Sequence, residues 1–312
     1  MSSQLRGSLT ALAATTALAF TGIFIDVLLK GHALQPLTLA FWRDLFIALA
    51  LLGLLRVFQP AALRITRRDI PFFVVYGFLG LAVFNAAWTF SVAFNGAAVA
   101  TVLAYSSPAF TVLLARLALR ESLTTSKWLA VALSLAGCVF VAQAHTPEAW
   151  RVNPLGLLLG LTSGFAYAFF NLAGRWSAQR FASAWTVTAY GFLFAAGALA
   201  LTQVGGAPLS LGADWRGWGL LLFLALVPSL LGFGLYTLSL RDLPASVASL
   251  IAALEPVLTA LIAIPILGQW LEPVQWLGAG LILAAAVLVQ WDGLRQGAAE
   301  AAAATVIQES DG

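Results

Sequence analysis

The stretch AALEPVLTALIAIPILG, Ala252 to Gly268, is apolar apart from one carboxyl group, Glu255, and that group stands directly before Pro256. The chain around it is 61% apolar and 9% charged, with a mean hydropathy of +0.92. No soluble domain tolerates that balance, so the chain reads as an integral membrane protein. An acid at the centre of a membrane helix costs about 2.5 to 3.5 kcal/mol and as a rule faces a functional interior. Proline removes a backbone donor and frees a carbonyl. Hydrocarbon accepts such irregularity only where the backbone is packed in protein or lines a cavity. The segment therefore predicts a broken span turned toward the centre of a helical bundle.

A crossing needs about 20 apolar residues, and ten windows qualify: 8–28, 36–58, 70–94, 97–119, 127–143, 155–175, 183–204, 217–240, 245–267 and 274–290. The expected class is an all-α membrane protein with little left for a soluble domain. The remaining tail, residues 296–312, contains AAEAAAA, and reads as disordered in preference to a frayed helix. Ala17-Leu18-Ala19 resembles a signal-peptide cleavage site. The apolar run continues to Leu28, only Arg6 precedes it, and a second span follows, so a retained first helix is expected. The single cysteine, Cys138, excludes an internal disulfide or a thiolate cluster. His32 and His145 sit in connections, so neither a metal nor a cofactor is expected.

Basic loops stay in the cytoplasm. With the N-terminus inside, the inner side collects Arg6, Arg56, Arg64, Arg67, Arg68, Arg116, Arg120, Lys127, Arg175, Arg180, Arg241 and Arg295, against Lys30, Arg151 and Arg216 outside. Both termini are thus expected in the cytoplasm. Nine of the eleven tryptophans fall near span ends, as an interfacial belt requires. The basic charge reports topology and gives no reason to expect nucleic acid.

Sliding the chain by 148 positions lays Pro108 on Pro256, Thr111 on Thr259 and Trp128 on Trp276, with 17 identities in 45 positions between Ala97 and Val141. A shift of 149 lays Gly7 on Gly156, Ala17 on Ala166 and Phe20 on Phe169. The chain then divides into two repeats, residues 7–144 and 154–291, of five spans each. Because five is odd, the halves would be inverted about an axis in the membrane plane, an arrangement typical of carriers. Glu255 aligns with Ser107 of AYSSPAFTVLLARLALRE, Ala104 to Glu121, so both fourth spans carry a polar group before a proline.

SSPAFTVLLARLALRE followed by WLAVALSLAG, echoed by LEPVLTALIAIPILG and WLGAGLIL, resembles the EamA-type family of the drug/metabolite transporter superfamily. The similarity runs from Gly7 to Gln290. It implies ten helices in two inverted five-helix repeats around a central cavity, with spans five and ten peripheral. It also implies an inner-membrane exporter of amino acids or related metabolites, similar in layout to aromatic amino-acid exporters of the YddG type. The acid usual after the fourth span is present as Glu121. The aligned position in the second half is Gln269, with Glu272 three residues on, and these are read as boundary residues without bearing on substrate.

The polar census points to the same interior. Span ten has no polar side chain at its middle, and span five only Ser134 and Cys138. Span two carries Arg43 and Asp44, span three Asn85, Trp88 and Thr89, span four Tyr105, Ser106 and Ser107, span six Tyr167 and Asn171, span seven Tyr190, and span nine Glu255. Arg43 is the basic residue well inside a span. It either pairs with Glu255 to lock the halves, or the two bind a substrate's carboxylate and amine separately. Asp44 is expected on another helix face, pairing with Asp26 or reaching the outer interface. Trp88 and Trp42 are displaced from the belts, and a ring there stacks on a substrate or packs. Asn85 and Asn171 either serve the site or join helices. Pro108, Pro256, Pro228 and Gly80 are candidate breaks or hinges, and Gly77, Gly160, Gly164, Gly232 and Gly234 are close-packing or bending points.

Three classes compete. A channel requires rings of like residues along a polar pore, and an intramembrane enzyme requires a nucleophile with its base, yet no histidine accompanies Ser106 or Ser107. No GxxxxGK[ST] loop is present to use ATP. The leading expectation is a secondary carrier working by alternating access, with another metabolite or drug class, or a channel, as alternatives. Its expected partners are a small molecule, the bilayer and a coupled proton at Glu255, and the assembly a monomer or weak dimer.

Overall fold

The computed structural model describes residues 3–32, 34–147, 153–202, 214–267 and 272–310, and every regular element among them is helical. The first half contains α1 (Ser3–Gly31), α2 (Pro36–Phe58), α3 (Ile70–Val75), α4 (Phe84–Ala104), α5 (Ser107–Ala118) and α6 (Thr125–Val141). The second contains α7 (Pro154–Arg180), α8 (Ala184–Thr202), α9 (Trp215–Leu224), α10 (Leu230–Ser239), α11 (Ala245–Ala252), α12 (Glu255–Leu267) and α13 (Pro273–Ser310). Eight stretches among the described residues are long and apolar enough to cross a membrane. Thr125–Val141 and Pro273–Val289 are shorter apolar helices. The chain is a multi-pass membrane protein, and each of the ten apolar windows falls on a helix.

Two wider helical turns interrupt the regular pattern. A π-helical stretch, Tyr76–Val83, joins α3 to α4, and another, Ala225–Ser229, joins α9 to α10. Pro228 lies inside the second and lacks the N–H that an α-turn there would use. In the first, a β-carbon on Gly77 would lie 2.5 Å from the Gly191 carbonyl oxygen of α8. Only a bare backbone fits so close a crossing. Several helix starts also recur 148 positions apart: Pro36 with Ala184, Ser107 with Glu255, and Thr125 with Pro273.

In lipid there is little hydrophobic drive between helices, so close approach of small residues holds the bundle together. Gly156, Gly160 and Gly164 form one stripe on α7, where added β-carbons would meet Asn95, Leu103 and Ser106 at 2.4 to 2.5 Å. The α4–α5 arm lies along that stripe. Gly137 of α6 and Gly278 of α13 likewise meet backbone to backbone. The helices α6 and α13 pack chiefly on each other, so this pair lies to one side of the bundle. The centre is made by α1 against α10 and α12, α2 against α8, and α7 against α4, α5 and the first π-helical stretch.

Polar ties collect at the two ends. At the end rich in arginine, Arg6 pairs with Asp242 at 2.7 Å and Arg180 with Asp69 at 3.3 Å. Glu121 accepts from the Ala245 N–H at 2.9 Å and from the Ser246 hydroxyl, which caps α11. Arg175 donates to the Leu240 and Arg241 carbonyls beyond the last turn of α10. At the opposite end His32 contacts Asp214, and the Asn153 N–H donates to Asn95 at 2.7 Å. Glu121 is thus a boundary residue in fact, and its work is to tie the halves. Gln269 lies outside the described residues.

Candidate functional site

The two broken spans meet at the centre. After α4 ends at Ala104 and α11 at Ala252, tight turns close the exposed backbone: the Ser106 N–H donates to Leu103 at 3.2 Å and the Leu254 N–H to Ile251 at 3.0 Å. Pro108 and Pro256 are then the second residues of the new helices α5 and α12. A proline at this point sacrifices no helical hydrogen bond and disfavours helix at the preceding residue. Both prolines therefore start helices, and each break precedes them.

Glu255 opens α12 and remains partly exposed inside the molecule, as does Tyr105. Tyr105 and Tyr167 of α7 both lie within electrostatic reach of the carboxyl. Tyr167 in turn stacks on Phe84 with centroids 5.2 Å apart. On α12, one turn beyond Glu255, Thr259 donates to the Ala19 carbonyl at 3.0 Å, which brings α1 to this wall. Among the described residues no guanidinium or ammonium lies against Glu255.

Arg43 does not answer that acid. Its Nε donates to Asp44 at 3.2 Å and a terminal nitrogen donates to the Asn85 oxygen at 2.9 Å, while the Asn85 amide donates to Asp44 at 3.2 Å. The expected Arg43–Glu255 lock is replaced by a closed, neutral ring between α2 and α4. The expectation that Asp44 turns to another face is likewise corrected: the long arginine side chain folds back onto its neighbour, and Asp44 is fully buried. The side chain of Asp26 lies outside the described residues.

The other candidates divide. Asn171 joins helices, donating to Thr111 of α5 at 3.2 Å and accepting from the Tyr236 hydroxyl of α10 at 2.9 Å. Ser106 donates to its own chain at Leu103 and faces Gly164, so it is packed on α7. Ser107 is buried, and its hydroxyl has no partner among the described residues. Trp88 is partly exposed and stacks on no other described ring, whereas Trp42 packs edge-on against Trp218 at 5.2 Å. Tyr190 donates to Leu63 near the arginine-rich end, away from the breaks. Gly80 and Pro228 fall within the two π-helical stretches, Gly80 against Phe170.

The sequence reading passed over the aromatic floor beneath Glu255. Tyr76 and Tyr236 both stack on Phe170, at 5.3 and 6.0 Å, and Phe233 meets it edge-on. Tyr76, Phe170 and Tyr236 are each about 1% exposed, so these rings form a buried aromatic layer. Of these rings only Phe170 lies in GFAYAFFNLAG, residues 164–174, where aromatic residues interleave with alanine and glycine, so the local pattern signalled one ring of the four.

A bundle of membrane helices with two broken spans and one acid at their meeting point has the build of a carrier. The chain belongs to the EamA-like transporter family, whose family model matches residues 5–143 and again residues 154–291. It is 24% identical, over 95% of its length and 99% of the relative's, to the uncharacterized inner membrane transporter YicL of Salmonella typhimurium. It is 28% identical to the uncharacterized transporter YwfM of Bacillus subtilis, over 67% of this chain and 69% of that one. Over 48% of its length and 49% of the relative's it is 27% identical to the S-adenosylmethionine uptake transporter of Rickettsia prowazekii. A solved crystal structure with 18% sequence identity superposes over 94% of this chain and 98% of that one with a TM-score of 0.77, which fixes the fold alone.

Proposed function

We propose that the protein is a secondary carrier of amino acids or related small metabolites that works by alternating access between two inverted five-helix repeats. The observation that carries this reading is Glu255: a partly exposed carboxyl at the start of a broken mid-span helix, walled by Tyr105 and Tyr167 and without a cation. Helix starts 148 positions apart, π-helical stretches near matching positions and the twice-matched family model support the repeat. The arginine excess supports both termini in the cytoplasm. In this reading the site opens away from the buried aromatic layer, the halves rock about the breaks and π-helical stretches, and net movement is export. Glu255 also carries the coupled proton. A second reading, uptake of a nucleoside-bearing metabolite, is favoured by the half-length similarity to an S-adenosylmethionine uptake transporter.

Uptake of labelled amino acids and of S-adenosylmethionine into proteoliposomes, with and without a pH gradient, tests these readings. Saturable uptake that unlabelled compound competes away is expected, and a flux that never saturates would instead indicate a channel. Glu255→Gln is expected to lower the rate at least tenfold and flatten its pH dependence. Wild-type rate and pH profile in that variant would remove Glu255 from the mechanism.

A further inference from the structure

From the same geometry, and resting on the carrier reading, we infer that the central site recognises the ammonium end of its substrate and offers no counter-charge to a carboxylate. Compact organic amines are then better ligands than the corresponding amino acids. A zwitterion held at both ends needs an anionic group and a cationic group at the site. The anionic one is present: Glu255 is partly exposed at the start of α12 and has Tyr105 and Tyr167 within electrostatic reach. Aromatic faces next to a carboxylate suit an alkylammonium, which gains from the ring quadrupole as well as from the charge.

Among the described residues the cationic partner is missing, for two separate reasons. Arg43 lies well inside a span, is 6% exposed, and its Nε and one terminal nitrogen are bound to Asp44 and Asn85. The ring they form has no net charge. Opening it for a substrate carboxylate would strand Asp44, which is fully buried. The second possibility is a helix N-terminus, which binds carboxylates through free N–H groups. At α5 no charged donor is offered: the Ala109 and Phe110 N–H groups both donate to the Ser106 carbonyl, Pro108 has none to give, and the Ser107 hydroxyl, buried and without a partner among the described residues, is neutral. At α12 the equivalent place is occupied by Glu255 itself. Lys127 and Arg175 lie at the arginine-rich end, bonded to Ser122 and to the Leu240 and Arg241 carbonyls.

Equilibrium binding to the purified full chain in detergent tests this, with labelled phenylethylamine and isobutylamine as probes. Phenylalanine and valine serve as competitors that keep both charges, and 3-phenylpropionate and isovalerate as competitors that keep only the carboxylate. The expected result is saturable binding of at least one amine. Its parent amino acid should compete at least tenfold more weakly, and the carboxylate-only compounds should fail to compete. Glu255→Gln should weaken amine binding at least tenfold and Glu255→Asp much less, which separates loss of charge from loss of fold. Equal binding by a carboxylate-only compound, unchanged amine binding in Glu255→Gln, or no binding by either amine would overturn the inference. Uptake by liposomes reports separately on the carrier reading: an amine that binds and is never transported sinks the carrier while the site assignment stands, and carboxylate-only uptake does the reverse.

Discussion

Arg43 and Glu255 both stand deep in apolar runs, Arg43 with Asp44 beside it and Glu255 alone, and the structure gives them opposite fates. Glu255 was legible because an acid before a proline has few structural uses in hydrocarbon. The partner of Arg43 was not, since pairing at adjacent positions depends on how a flexible side chain folds back, which periodicity does not encode. The ring predicts an asymmetric response to mutation. Arg43→Met alone leaves Asp44 buried and unpaired and should cost about 3 to 5 kcal/mol of stability. Replacing all three members, with Arg43→Met, Asp44→Leu and Asn85→Leu together, should come within about 1 kcal/mol of the parent, because apolar groups of similar volume need no partners. Thermal unfolding in detergent measures both, and equal losses in the two variants would show that the ring is held by something other than its own hydrogen bonds.

Elements were read from apolar windows, and each window found a helix, because hydrophobic length is the dominant constraint in a bilayer. The way those helices are interrupted was less visible. The prolines of the fourth and ninth spans marked breaks or hinges; in the structure each break falls just before its proline, and new helices begin at Ser107 and Glu255. The π-helical stretch at Tyr76–Val83 carries no proline, and it coincides with a close approach of Gly77 to Gly191 that no local pattern announces. The Gly156, Gly160, Gly164 stripe follows a spacing that sequence does expose. Gly160→Leu should disrupt the α4–α7 contact, since a β-carbon already falls 2.5 Å from Leu103. The expected loss is about 1 to 3 kcal/mol, typical of overpacking. Gly219, with nothing within 4 Å of an added β-carbon, is the control, and Gly219→Ala should hold or slightly raise the melting temperature. If the two variants melt together, the stripe is not a packing seam.

At the scale of the whole molecule the ties at the arginine-rich end join α1 to the α10–α11 turn and α7 to the start of α3. Thr66 is the main cause holding the Asp69 carboxyl below the usual range, with Arg180 adding to it, and Arg6 does the same for Asp242. A depressed carboxylate contributes above its ordinary value of about 4 and loses the contribution as pH falls through the depressed one. The protection of the amides in the Arg241–Leu243 turn, taken relative to the intrinsic exchange rate at each pH, should therefore fall below about pH 4, and Asp242→Asn should be unprotected at every pH. Equal protection at pH 3 and pH 6 in the wild type would show that the pair does not hold the turn. The same pair offers a direct test of the transport cycle. Arg6 and Asp242 side chains meet at 2.7 Å across α1 and the α10–α11 turn, so cysteines at both positions, in a Cys138→Ser background, lie within reach of a short thiol cross-linker. A carrier that must open this end to exchange substrate should lose nearly all uptake when cross-linked and regain it on reduction, while amine binding at Glu255 from the opposite end persists. Uptake that survives complete cross-linking would mean that this end need not part, and the rocking of the two halves would have to be abandoned.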